Sequence, residues 1–398
     1  MLNKKLIFWA ACFGMLLFGI GLITLGSIAP DLKTKFNLDD VAAGTLFSIL
    51  PFGILTGSLF FGPVCDRYGY KIIMIVACVG MFAGFQCIAY VSSLAFLKAC
   101  IFVFGISAGI INGATNAVVS DVSKGAEGAR LSLLGVFFGI GALGMPFVIA
   151  VLKNNFSSYQ IVEAVGWLTL VVGSFYSFIK FPPSKKAIGF APNTTKKLFR
   201  ETYLWFIAFY LFFQGSIEAI LNNWTTTYFT KHLSFKESIA LYALSLYVAG
   251  MTVTRVLIGM VLRSVKLPVL MLSSLAIVFI GILFLYFGES FYLSIAGLIL
   301  LGVGLAAGFP IMLGLAGNRY AAQSGTAFSI IFTVALSGNM LVNYLMGVIS
   351  KNYGIQHFIT VAFAELMFML IFCILVFRSQ KNVNAEAEGI TEIKKATI

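Results

Sequence analysis

Within the hydrophobic run Tyr203–Tyr228, an acid and two amides share one helical face. Gln214, Glu218 and Asn222 recur at i, i+4 and i+8, and Trp224 and Tyr228 continue toward the far end. A carboxylate in hydrocarbon is costly, so it is expected to face a bundle interior or a wet cavity and to mark a solute or proton path. Amides give a hydroxyl both a donor and an acceptor, and aromatic faces stack on the apolar faces of sugar rings. The chemistry within reach is therefore binding of a polar solute and uptake of a proton. A carboxyl kept neutral by burial, or paired to a neighbouring helix for packing, is the other reading.

These side chains have to be held by membrane helices. The chain has 398 residues, 60% hydrophobic and 11% charged, with mean hydropathy +0.97. That balance is foreign to soluble domains and points to a polytopic protein whose environment is the lipid bilayer. The length suits twelve helices of roughly 20 residues. They are expected at 6–30, 40–62, 71–91, 94–120, 129–151, 158–180, 202–225, 236–262, 267–288, 291–317, 324–349 and 355–378. An even number puts both termini on one side. With the termini inside, the inner segments hold nineteen Lys and Arg and the outer loops six, which sets the orientation and accounts for the net charge of +12 without nucleic acid. The N-terminal apolar run is too long for a signal-peptide core and reads as the first span. The six cysteines show no metal-ligand spacing and read as small buried hydrophobes.

The loop 181–201, rich in Pro, Lys and Thr, divides six spans from six. The expected organisation is a bundle over 1–180, a cytoplasmic linker over 181–201, a second bundle over 202–378 and a disordered cytoplasmic tail over 379–398. Transporters built from two repeated halves have this layout, with the solute site between the halves near the bilayer midplane.

Other polar residues extend the candidate site. Asn112 and Asn116 lie on one face of span 4 with Gly105, Gly109 and Ser120, and Asn339 and Asn343 stand at i and i+4 in span 11. Each Asn serves either as cavity lining or as interhelical glue. Glu365 near the middle of span 12 and Glu163 in the outer part of span 6 compete with Glu218 for a proton-coupling role. Arg255 and Lys98 are read as cations that snorkel toward the interfaces. Span 10 is rich in glycine and carries Pro310, which suits a helix that bends.

Between spans 2 and 3 stands Gly62-Pro-Val-Cys-Asp66-Arg67-Tyr-Gly69-Tyr-Lys71. Gly62 permits close helix approach, Gly69 a tight turn, and Asp66 can pair with a cation or with a helix N-terminus. The spacing resembles the signature of the major facilitator superfamily, with Tyr70 where a basic residue is common. Gly259-x-x-x-Arg263 echoes it in the second half without the acid. The resemblance implies an all-helical protein of two pseudo-symmetric six-helix bundles. It also implies that Gly62, Asp66, Arg67, Gly69 and Lys71 form a cytoplasmic gate that latches the outward-open state. Asn112–Asn116 with Ser120-Asp121, span 5, and Gly215-x-x-Glu218 with Trp224 and Tyr228 resemble the fucose–galactose–glucose:proton symporter group. Group members that couple protons through the first half can carry an acid in span 1 or span 4. Here Asp31 stands only at the outer end of span 1 and Asn112 takes the place in span 4, which leaves Glu218 as the leading acid.

No nucleotide-binding loop, nucleophile elbow or metal-ligand cluster occurs, so an enzyme, an ATP-driven pump, and a cofactor or metal requirement are not expected. The intramembrane inventory is mostly amides and aromatics with few cations, which suits a neutral polyhydroxylated solute better than an anion. The expected function is secondary active transport of a small polar solute, most simply a sugar with protons. The chain is expected to act as a monomer in a bacterial inner membrane. A proton-coupled drug or metabolite exporter is the alternative. A receptor on a transporter scaffold would need more than the short tail.

Overall fold

The computed structural model describes residues 3–38, 40–152, 155–184, 197–261, 265–288 and 290–396. The described residues are helical with connecting turns and contain no strand. Twelve helices are long and apolar enough to cross a membrane. Spans 1–6 are Lys4–Ser27, Ser48–Tyr68, Tyr70–Tyr90, Leu94–Val122, Glu127–Ile149 and Ser158–Phe178. Spans 7–12 are Thr202–Lys231, Tyr242–Gly259, Leu267–Tyr286, Phe291–Arg319, Ala321–Tyr353 and Ile355–Gln380. All twelve expected spans are present, with ends displaced by up to eight residues.

Three local features differ from expectation. Span 1 ends at Ser27, and a short helix, Ala29–Phe36, follows with a proline in its first turn. Asp31 therefore belongs to this short helix and not to the span. Lys35 ties the helix down: its ammonium donates to Ala89 O at 3.3 Å and lies 4.6 Å over the Tyr159 ring. Span 10 is broken into Phe291–Leu305 and Gly308–Arg319. Pro310 falls in the first turn of the second piece, where its missing N–H costs no helix bond. The last helix runs Phe358–Ala396, so the backbone of the segment expected to be disordered continues as helix. The Ala, Glu and Lys residues of that segment are good helix formers and extend a helix already nucleated in the membrane. Residues 185–196 of the expected linker, and Arg263 of the second-half echo, lie outside the described residues.

Contacts divide the chain into two compact units. The first holds Met1–Thr195 with Thr252–Arg263 and Pro310–Leu336; the second holds Lys196–Met251, Ser264–Phe309 and Ser337–Ile398. Parts of spans 8, 10 and 11 are thus grouped with spans 1–6. The repeat read from the sequence follows the chain, whereas contact grouping follows the bonds those segments make at the end carrying Gly62–Lys71, called here the motif end.

In the first unit span 2 packs on span 4, span 1 on span 5 and span 3 on span 6. Membrane helices gain little from hydrophobicity toward one another, so close approach through small residues carries the packing. Gly53 of span 2 meets Gly105 of span 4, Gly57 meets Ile106, and Gly109 meets Ile54, in each case backbone to backbone. In the second unit span 12 packs along span 7, and span 9 lies against spans 10 and 12. Phe213 stacks on Phe368 at 4.7 Å and Phe209 on Phe372 at 5.4 Å along the first of these seams.

A methyl group on Gly57 would sit 2.9 Å from the Ile106 carbonyl carbon, and would also meet its oxygen, with only backbone to yield. Gly57→Ala is expected to destabilise the fold by about 1–3 kcal/mol. Gly144→Ala is the control, since nothing lies within 4 Å of the added methyl. Thermal denaturation in detergent checks both: a lower midpoint for the first and no change for the second.

Candidate functional site

The motif end of the first unit is built around a buried acid. Asp66 is 1% exposed, and its Oδ2 accepts from Thr326 N at 2.8 Å and from Thr326 Oγ1 at 2.7 Å. Thr326 is the third residue of the helix Ser324–Tyr353, so the carboxylate caps a helix N-terminus, where unpaired N–H groups and the helix dipole favour negative charge. The backbone must come close for this to happen. A Cβ on Gly62 would meet Gly325 C and Ser329 Cβ, each at 2.6 Å. Ser329 Oγ shares its proton between Ser58 O and Leu59 O, both at 2.6 Å. Gly69 adopts φ +84, a left-handed conformation that favours glycine, and joins span 2 to span 3.

Tyr70 fills the place of the expected basic residue with a second bonded cluster. Its hydroxyl donates to Asp121 Oδ2 at 2.7 Å, and Ser324 Oγ donates to Asp121 Oδ1 at the same distance. Lys71 donates to Ser177 O at 2.5 Å, and Arg67 lies 5.4 Å over the Tyr68 ring. Of the five signature residues, then, Gly62 and Asp66 meet span 11, Gly69 makes the turn, and Arg67 and Lys71 hold local partners.

Two further contacts complete this end. Gly317 packs on Ser120, and Ser132 Oγ donates to Arg255 O at 2.6 Å. Arg255 is 9% exposed and therefore does not reach into water; its Cδ and one terminal nitrogen lie over Gly135, and its Nε has no hydrogen-bond partner among the described residues. Asn112 and Asn116 are buried in span 4, where Asn116 Nδ2 donates to Asn112 O at 2.8 Å and to Asn112 Oδ1 at 3.2 Å.

The second unit holds the acid and amides of span 7. Gln214 Nε2 donates to Glu218 Oε1 and to Leu305 O, both at 2.9 Å. Leu305 is the last residue before the break in span 10, so the amide bridges the acid and the broken helix. Asn222 Nδ2 donates to Glu218 O at 2.7 Å on an exposed face. Trp224 Nε1 donates to Asn343 Oδ1 at 2.8 Å, which brings two expected site residues together. Tyr228 donates to Leu285 O at 3.4 Å and packs 5.3 Å from the Phe358 ring. Asn339 is half-buried. Glu365 lies on the buried face of span 12 at 4% exposure, and its Oε2 has no hydrogen-bond partner among the described residues. Glu163 sits apart: its carboxylate meets the Tyr90 hydroxyl and its backbone carbonyl accepts from Gln86.

Sequence reading missed three features: the Tyr70–Asp121–Ser324 cluster, the burial of Arg255, and the bond from Gln214 to the break. Tyr70 was legible as a departure and Pro310 as a bend, but which side chain answers each needs the packing. Among the described residues no group of His, Cys, Asp and Glu could hold a metal ion.

The model of the Major Facilitator Superfamily matches residues 11–342. The chain belongs to that superfamily. Its relatives include the glucose/mannose transporter GlcP of Bacillus subtilis, 24% identical over 83% of this chain and 84% of that protein. The inner membrane transport protein YdiN of Escherichia coli is 23% identical over 92% and 88%. Among solved structures, FucP in its outward conformation aligns with TM-score 0.79 at 16% identity, covering 93% of this chain and 98% of that one. The proton:xylose symporter XylE aligns at 0.76 and 15% over 94% and 95%. The human organic anion transporter MFSD10 aligns at 0.75 and 15% over 94% and 100%. The all-helical, twelve-span major facilitator fold and a multi-pass membrane protein follow. The family is one of transporters and not of enzymes.

The Asp66–Thr326 contact is testable by a double-mutant cycle. Asp66→Asn and Thr326→Val are each expected to lower stability, with a coupling of about 1–3 kcal/mol between them. Additive effects on thermal unfolding would show that the two side chains are energetically independent.

Proposed function

We propose that the chain takes up a sugar or sugar-like polyhydroxylated solute together with protons, by alternating access. In this reading it sits in a bacterial inner membrane as a monomer, with both termini in the cytoplasm and the motif end inside. The halves 1–180 and 202–378 are the bodies that rock. The observation that carries the reading is the Gln214–Glu218 pair at the centre of span 7, an intramembrane acid already engaged by an amide. The relative GlcP, a glucose/mannose transporter, and the structural neighbour XylE, a proton:xylose symporter, point the same way.

The cycle follows from charge. An ionised Glu218 in a low-dielectric bundle is costly, and taking up a proton removes that cost. Reorientation is then allowed for the protonated, loaded carrier. The amides Asn112, Asn116, Gln214, Asn222, Asn339 and Asn343 offer paired donors and acceptors to solute hydroxyls, with Trp224 and Tyr228 as stacking faces. Asp66 at the start of span 11 holds the inner end shut until the solute binds from outside.

Arg255 favours a second reading, an anionic solute such as a carboxylate, because a buried guanidinium with a free donor is a natural anion partner.

Thermal stabilisation of the purified chain by neutral sugars, amino sugars, organic anions and cationic dyes separates these readings, since a ligand of the folded state raises its midpoint. Stabilisation by one sugar class supports the first reading, by anions only the second, and by dyes only an exporter. With the sugar identified, Glu218→Gln is expected to abolish pH-driven accumulation in proteoliposomes while leaving solute counterflow. Unchanged accumulation removes Glu218 from the coupling role.

A further inference from the structure

The break in span 10 falls where the chain passes between the two compact units: Phe309 belongs to the second and Pro310 to the first. The pieces Phe291–Leu305 and Gly308–Arg319 are joined through Ala306 and Ala307, where the helix is interrupted. One buried side chain meets the backbone at the break. Gln214 Nε2 places one hydrogen on Leu305 O and the other on Glu218 Oε1. The fit is close, because a Cβ on Gly308 would collide with Gln214 Oε1 and stand 2.5 Å from the Tyr210 hydroxyl oxygen. Gln214 is fully buried, and its Oε1 has no hydrogen-bond partner among the described residues.

That vacant acceptor gives the amide two settings. While Glu218 is ionised, it attracts Nε2 with a charge-assisted bond, and Nε2 spans the acid and the Leu305 carbonyl. A protonated Glu218 carries an O–H donor and is a weaker acceptor. Its O–H can donate a hydrogen bond to Gln214 Oε1, which requires the amide to turn about its last torsion and takes Nε2 off Leu305 O. The break then loses its anchor.

We propose that Gln214 is a positioning residue that ties the protonation state of Glu218 to the geometry of the break in span 10. The proposal rests on Glu218 being the coupling carboxyl. Other titratable groups near this helix are few. Tyr210 on span 7 interacts electrostatically with Glu218. Span 12, packed along span 7, brings Glu365 and Cys373. The second-unit part of span 11 carries Tyr344, Lys351 and Tyr353 toward its far end; the second-unit parts of spans 8, 9 and 10 carry Tyr242 and Tyr247, Tyr286, and Tyr292. Glu365 is the one other acid at membrane depth in this unit, so it is the control.

Hydrogen exchange of the peptide 303–312 in the purified full chain tests this, after correction for the intrinsic pH dependence of amide exchange. In the wild type, exchange is expected to rise about tenfold on acidification, as one charge-assisted bond is lost. Gln214→Leu and Gly308→Ala are both expected to exchange fast at either pH; the second displaces the amide without removing it, which covers the chance that the first misfolds. Glu218→Gln is expected to lose the pH response, and Glu365→Gln to keep it. A wild type without a pH response overturns the proposal. So does a wild-type response retained in Gln214→Leu and Gly308→Ala; if Glu218→Gln alone has lost it, the relay fails while Glu218 stands as the sensor. A response retained in Glu218→Gln removes Glu218 itself, and with it the coupling assignment above.

Discussion

The structure of the first unit depends on one buried carboxylate. Asp66 is withdrawn from water, and an ion so placed is tenable only when its oxygens are answered by partners. The start of span 11 supplies them from Thr326. The remaining geometry at this end follows from that demand. Gly62 and Gly325 have to be glycines for the two backbones to come within reach, and Ser329 then finds two carbonyls of span 2 beneath it. Ser324, one turn-start earlier, is carried onto Asp121, and Asp121 onto Tyr70. Spans 2, 3, 4 and 11 meet here through one connected set of bonds.

The same rule shapes the second unit with a different outcome. A helix broken inside a membrane exposes carbonyls that no water can reach, and they must be met by protein groups. Leu305 O is met by Gln214, and Gly308 leaves the space for that amide. The acid on the next turn of span 7 then falls within hydrogen-bond distance of the amide that supports the break. The backbone at the break and the acid thus share one side chain.

Much of this was legible in the chain. Hydropathy and length located the twelve spans because a helix must satisfy its own backbone in lipid, and that constraint is local. The signature Gly62–Lys71 was legible because glycine and acid spacing is short-range. Glu218 and its i−4 and i+4 amides were legible from helical periodicity alone. What escaped is long-range in sequence. Asp66 meets a residue 260 positions away, and Tyr70 meets Ser324 across a similar gap. Arg255 looked like a snorkelling cation because its place near a helix end permits that; the neighbouring span 5, with Gly135 opposite, encloses it instead. The tail resisted for another reason: its polarity argued for disorder, while its propensity and its attachment to a spanning helix argued for helix.

The chemistry at the motif end also bears on how firmly it can be held. An arginine at position 70 would make an ion pair with Asp121, whereas Tyr70 makes a hydrogen bond to a charged oxygen. A handful of such bonds, each worth about 0.5–3 kcal/mol net, sums to several kcal/mol. In the proposed cycle this end opens once per turnover, and a solute can shift the balance only by its differential affinity for the two states. Binding at millimolar affinity supplies about 4 kcal/mol in all. Under the proposed cycle, a closure that includes hydrogen bonds to two carboxylates is one that a weakly bound solute, helped by one protonation, can undo.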